Sequence, residues 1–356
     1  MNATMKAARW HGAKDIRVER IAVPVVGPQE VKIEVAYCGI CGNDLHEYID
    51  GPHVICTEPH PITGMTFPVT LGHEYCGTVV EVGAEVADLQ VGARVTVEPE
   101  FRCGKCHFCK RGQYNLCNSM GFSGLAADGG LARYAVIPSY MVYPIDDGVS
   151  FKEAAVMEPA AVALFAVRKS ELKVGDSCAI FGAGPIGLFI TMFAHLQGAA
   201  NIVVIDPSAQ RRVKAKELGA SLVYDPTQTD AVAEIKKLTK IGVDVAFEAV
   251  GLQATLDGCM DSVRKDGTTF IVGLSHGRAT FNALATVFRE TKIDASVGYR
   301  HVYPELISLV VNKRVDLTRV ITKIISIGDI VEEGFVSLSS DKRQVKVLID
   351  LAGTAH

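Results

Sequence analysis

The segment from Ser177 to Asp206, SCAIFGAGPIGLFITMFAHLQGAANIVVID, constrains the fold more than any other part of the chain. A short apolar run is followed at once by Gly182, Gly184 and Gly187, then by a helical stretch and a second apolar run ending in Asp206. A strand that turns sharply into a helix needs glycine at three places: where the backbone reverses, where it approaches a ligand, and where helix and strand pack together. The amides that open such a helix attract a pyrophosphate. Gly182, Gly184 and Gly187 take the three roles in order, with Pro185 and Ile186 inside the same turn. Asp206 is placed to accept hydrogen bonds from both ribose hydroxyls of a dinucleotide and to repel a 2′-phosphate, which selects NAD over NADP. Arg211 and Arg212 pull the other way, because a nearby arginine can accommodate that phosphate.

The same rhythm continues through SLVYD, VDVAFEAVG, TTFIVGL and IDASVGY, each run separated from the next by a helical stretch. With SCAIF and NIVVID they predict six strands with helical crossovers, an α/β doubly wound parallel sheet. Val272, Gly273 and Leu274, at the end of TTFIVGL, join the cofactor-binding candidates. Before about residue 157 the pattern differs: EVKIEVAYC, CGTVVEVGA and ARVTVEPE are short strands separated by Gly and Pro, as in a β-rich domain with long loops. Beyond Gly298, VYPELISLVVNKRVD reads as a helix and QVKVLIDL as a last strand.

At 356 residues, with 48% hydrophobic and 21% charged, the chain can bury a large core in two domains. Its net charge of -4 is spread along the sequence, leaving no basic stripe for nucleic acid or anionic lipid. No uncharged segment approaches the roughly 18 apolar residues of a membrane helix. A cytoplasmic protein with a small-molecule partner is expected. Reducing conditions disfavour disulfides, so the ten cysteines, eight of them between Cys38 and Cys117, call for another explanation. Cys103, Cys106, Cys109 and Cys117 have the short gaps of a tetrahedral Zn²⁺ site. Four thiolates leave no open position, so this zinc should hold a loop and do no chemistry.

A second, open zinc site can be assembled from CGICGNDLHEY, TLGHEYCG and VMEPAAVAL, which supply Cys41, His46, His73, Glu74 and Glu158. One Cys, one His and one carboxylate, with water as fourth ligand, would polarise an alcohol oxygen.

GHEYCGTVVEVG, the four-cysteine cluster, CGICGNDLH and GAGPIG together resemble the zinc-dependent medium-chain alcohol dehydrogenases over nearly the whole chain. Within that family, EPAAVAL and VGYRHVYP are similar to the polyol branch that includes the sorbitol dehydrogenases. EYIDGPHVICTEPHPITGMTFPVTLGHE, with EEGF, is most similar to the 2,3-butanediol dehydrogenases. The resemblance implies a GroES-like catalytic domain from residues 1–157 and 299–356, a Rossmann domain from 158–298, and an active site in the cleft. It implies Cys41 and His73 as catalytic zinc ligands, with Glu74 or Glu158 as the third, and Asp44 orienting His73. It implies NAD and two zinc ions, one catalytic and one structural, and a homo-oligomer, dimer or tetramer. The expected reaction oxidises a small vicinal diol to a hydroxyketone, butanediol to acetoin. Alternatives are a sorbitol or xylitol dehydrogenase and a non-enzymatic nucleotide-binding protein on the same scaffold. One departure stands out. Relatives mostly carry Ser or Thr two residues after the zinc cysteine, where this chain has Asn43, so the proton is expected to pass through water to His46.

Overall fold

A computed structural model describes residues 3–275, 277–341 and 343–353. The chain divides into two compact units, Met1–Glu158 with Tyr303–His356, and Pro159–Val302. Residues 1, 2 and 354–356, which the expected catalytic domain includes, lie outside the described residues.

The first unit opens with β1 (Thr4–Gly12), β2 (Asp15–Ala22), β3 (Glu30–Gly39) and α1 (Gly42–Asp50). It continues through β4 (Val69–Thr70), β5 (Glu74–Val82), β6 (Arg94–Val97), β7 (Glu100–Phe101), α2 (His107–Lys110) and β8 (Gly121–Phe122). Then come β9 (Tyr134–Pro138), β10 (Val142–Pro144), α3 (Phe151–Ala155) and the start of α4 (Met157–Lys169).

The second unit alternates β11 (Ser177–Phe181), α5 (Pro185–Gln197), β12 (Asn201–Ile205), α6 (Ala209–Glu217) and β13 (Leu222–Tyr224). It goes on with α7 (Ala231–Thr239), β14 (Val243–Glu248), α8 (Gln253–Ser262), β15 (Val263–Ile271), α9 (Ala283–Arg289) and β16 (Lys292–Ala295). The chain then returns to the first unit as α10 (Tyr303–Val311), β17 (Ile321–Ser326), α11 (Ser337–Ser340) and β18 (Lys346–Asp350).

A seven-stranded sheet in the order β10-β6-β5-β3-β18-β17, with β9 also on β3, forms the first unit's core. In β3 the alternate residues Val31, Ile33 and Val35 are fully buried, as the period of a strand with one apolar face requires. β18 lies between β3, antiparallel, and β17, parallel, and all five of its residues are buried. The C-terminal residues thus complete the sheet begun by the N-terminal ones.

All six strands expected in the second unit are present, parallel, in the order β13-β12-β11-β14-β15-β16. Ile202, Val203 and Val204 in β12 are fully buried in succession, because helices cover both faces of such a sheet. The strand order reverses at β11, so the crevice for a ligand opens at its carboxyl end. That end carries Gly182. Among the described residues no helix is long and apolar enough to cross a membrane.

Candidate functional site

The four cysteines of the 103–117 segment converge, their sulfurs all within 4.8 Å of one another. Cys103 Sγ lies 4.0 Å from Cys109 Sγ, close to the ~3.8 Å edge of a tetrahedron with zinc–sulfur bonds of about 2.3 Å. Backbone amides prepare the sulfurs for a cation. Cys103 N donates to Cys117 Sγ at 3.3 Å, Cys106 N to Cys103 Sγ at 3.4 Å and Ser119 N to Cys117 Sγ at 3.4 Å. Amides of Cys109 and Asn118 bring the Cys106 thiol down to about 6, whereas burial, then the neighbouring Cys106, pushes Cys109 up to about 12. A metal resolves that conflict by taking all four as thiolates. Cys106→Ala is expected to lose one zinc per chain and to lower the unfolding temperature by roughly 10 °C, read by metal analysis and calorimetry.

The second cluster joins Cys41, His73 and Glu74, one ligand atom from each within 4.8 Å of the others. Cys41 caps the N-terminus of α1, and its amide donates to Asp44 Oδ2 at 3.0 Å. His73 follows Gly72, whose φ of +96° and packing exclude a side chain: a Cβ there would sit 2.5 Å from Cys38 Sγ. Asp44 Oδ1 stands 3.6 Å from His73 Nδ1, and both atoms are buried without a hydrogen-bond partner. Such a carboxylate fixes a histidine's orientation and leaves its other ring nitrogen for a metal. Burial alone would lower the His73 pKa, but Asp44, Cys41 and Glu158 outweigh it and hold it well above the usual value. Burial raises the Cys41 thiol, with His73 opposing. A buried imidazole facing a thiol and two carboxylates describes a site built for a cation. The donor set fits zinc.

Glu158, in the first turn of α4 and 6% exposed, is not part of this cluster, although its carboxylate acts on His73. Asn43 and His46 lie half-buried on α1, within two turns of Cys41.

Lys346 is a functional candidate that sequence reasoning missed. It opens β18, is 1% exposed, and donates to both Glu74 oxygens at 2.7 Å. Burial would lower its pKa, but Glu74, Cys41 and Glu158 together outweigh this and hold it above the usual value. The available signal was a lysine among apolar residues, VKVLI, where an unpaired charge would cost several kcal/mol.

In the second unit, Gly182 has φ +102° and Gly187 packs so closely that a Cβ would stand 1.8 Å from Gly182 O. A Cβ on Gly184, the N-cap of α5, would meet nothing within 4 Å, which leaves the amides around it open to a ligand. Pro185 and Ile186 begin α5. Asp206 Oδ2 accepts from Ala183 N at 2.8 Å and Oδ1 from Ser208 N at 2.7 Å, tying the end of β12 to the glycine turn. Arg212 is held by Asp206 O at 2.7 Å and Asp225 at 3.1 Å, with Arg211 beside it on α6. Val272, Gly273 and Leu274 follow β15, where the amides of Val272 and Gly273 both donate to Glu248 O at 2.9 Å. Glu248, also absent from the sequence reading, shapes this end of the sheet by accepting from the amides of Val250 and Gly251.

A strand–glycine–helix turn and a Cys-His-Glu cluster with Asp44 behind the histidine define a zinc-binding dehydrogenase, and comparison with known proteins agrees. Residues 27–147 match the alcohol dehydrogenase GroES-like domain and residues 185–312 the zinc-binding dehydrogenase domain. The chain belongs to the zinc-binding alcohol dehydrogenase family and is an oxidoreductase, a membership that implies zinc and a nicotinamide cofactor. It is 44% identical to the (R,R)-butanediol dehydrogenase of Bacillus subtilis (strain 168), over 97% of this chain and 99% of that one. The crystal structure of 2R,3R-butanediol dehydrogenase from Bacillus subtilis superposes with a TM-score of 0.91 at 43% identity, covering 97% of this chain and 99% of the other. A sorbitol dehydrogenase of Bacillus subtilis (strain 168) is 36% identical over 89% of each chain.

Proposed function

We propose that this chain interconverts a small vicinal diol and its α-hydroxyketone, 2,3-butanediol and acetoin, using zinc and NAD. The observation that carries the reading is the Cys41–His73–Glu74 cluster, a three-ligand set, in a chain that parallels a butanediol dehydrogenase along its length. Residues 1–157 and 299–356 act as the catalytic domain and 158–298 as the cofactor domain. When bound, zinc polarises the alcohol oxygen and the nicotinamide accepts the hydride that leaves the carbon. Cys41, His73 and Glu74 hold the metal, Asp44 orients His73, and Asn43 positions the substrate oxygen. Glu158 supports the charge on His73 and is the alternative third ligand. His46 receives the alcohol proton through water, since imidazole chemistry suits taking up and releasing protons near neutrality.

The opening of α5 takes the pyrophosphate, and Val272, Gly273 and Leu274 border the same ligand. Each Asp206 oxygen keeps a lone pair beyond its amide bond, which serves the ribose hydroxyls. Asp206→Ser removes the repulsion toward a 2′-phosphate and lets Arg211 pair with it, so the ratio of kcat/KM for NADP⁺ to that for NAD⁺ is expected to rise about tenfold or more. A wild type that already prefers NADP⁺ would contradict this role.

Cytoplasmic location fits ten cysteines of which none is in a disulfide. A homo-oligomer is part of the same reading. Leu284, Val287 and Phe288 on α9 are 67%, 71% and 74% exposed, and the adjacent β16 ends its sheet, a surface that a second copy of the chain would cover.

The test is initial-rate NAD⁺ reduction by separate (R,R)-, (S,S)- and meso-butanediol, glycerol and sorbitol. One butanediol isomer is expected to exceed sorbitol in kcat/KM by at least about 100-fold, because a site shaped for two methyl groups would bury the further hydroxyls of sorbitol unpaired, whereas a site lined for several polyol hydroxyls would reject butanediol. Sorbitol equal to or above butanediol would replace this reading with the polyol alternative, which the sorbitol dehydrogenase relative supports.

A further inference from the structure

Among the described residues Lys346 is the only lysine or arginine buried to this degree, at 1% exposure. An ammonium has three donors, and all three are taken here: Ile40 O accepts at 3.0 Å, and Glu74 Oε1 and Oε2 each accept at 2.7 Å. The fold makes deliberate room for the pair. Gly39 faces Glu74 so closely that a Cβ would lie 2.2 Å from Oε2, and β18 pairs with β3 at Leu348 and Gly39, which carries Lys346 to the approach of Cys41. The same Glu74 belongs to the cluster with Cys41 and His73. One buried carboxylate therefore faces two cationic claims, a fixed ammonium and a metal.

We propose that Lys346 is a positioning residue that keeps Glu74 a weak, exchangeable metal ligand. The proposal rests on reading Cys41, His73 and Glu74 as a metal site. A carboxylate has about four lone-pair positions, so ammonium and metal can share it, but each weakens the other's hold. Held symmetrically by Lys346, Glu74 gives the metal only part of its charge and leaves a coordination position free to exchange. Without the ammonium, the buried carboxylate loses the charge that faces both of its oxygens and turns fully to the metal. A salt bridge that merely ties β18 to β5 would have no such effect on the metal.

Release of zinc from the holoenzyme to a chromogenic chelator reads this directly, with the four-cysteine site and the Cys41 site as separate phases. In Lys346→Met the phase from the Cys41 site is expected to slow at least about tenfold, in Lys346→Arg to stay near wild type, and kcat of Lys346→Met to fall with little change in cofactor KM. Lys346→Gln keeps a donor without the charge and covers the case in which methionine prevents folding; it too should slow release. Combined with Glu74→Gln, Lys346→Met should add nothing to Glu74→Gln alone, since both act through one carboxylate. Wild-type or faster release in the neutral variants, or additive effects in the double variant, overturns the proposal and leaves Lys346 a structural tie. A wild type that holds only the four-cysteine zinc overturns the metal reading itself, and the proposal with it.

Discussion

Cys41→Ala is expected to lose one zinc per chain and more than about 100-fold in turnover, while the four-cysteine zinc and the thermal stability stay close to wild type. Outer partners of metal ligands such as Asp44 are typically worth 10–100-fold, so removal of a ligand itself should exceed that range. The fold should survive, because Cys41 only caps α1, and its amide still reaches Asp44 Oδ2 in the variant. The contrast with Cys106→Ala would separate the two proposed zinc sites. One variant keeps stability and loses chemistry, and the other loses stability first. Equal loss of stability in both would mean that the Cys41 cluster is a second structural site.

Gly187→Ala should be the most damaging single methyl group in the nucleotide-binding unit. Alanine inside a helix ordinarily gains about 1 kcal/mol over glycine. Here the added Cβ would stand 1.8 Å from Gly182 O, a backbone atom that cannot swing away as a side chain can. Parting β11 from α5 to relieve the overlap is expected to cost about 3 kcal/mol or more, so the steric term decides the sign. The turn that shifts is the one that opens α5 and is tied to Asp206 through Ala183 N. Nicotinamide nucleotide affinity, measured by fluorescence titration, should fall at least tenfold, with a lowered unfolding temperature. Wild-type affinity and stability would show that the turn is not as tight as described.

Local patterns were the legible ones. The four-cysteine site closes within fifteen residues, and each strand–helix pair of the parallel sheet is announced by its own apolar run, so both could be read from spacing alone. The open metal cluster was less legible because its members come from separate elements, α1 and the start of β5, and the sequence offered Glu74 and Glu158 equally. Geometry separates them: Glu74 lies with Cys41 and His73, and Glu158 does not. The strand offered Lys346 as an odd residue but not its role, because its partner Glu74 is 272 residues away and only the placement of β18 beside β3 joins them. Strand β17 escaped for a different reason. Its Ile321, Ile324 and Ile325 do not alternate, and most of the strand is only half-buried at the end of its sheet.

Zinc content set against the rate of butanediol oxidation tests the central claim most directly. The purified chain should hold two zinc ions; brief chelation should remove the one at Cys41, His73 and Glu74 first, and NAD⁺ reduction should fall in proportion and return with added zinc while the fold persists. Full turnover in protein that retains only the four-cysteine zinc would contradict it.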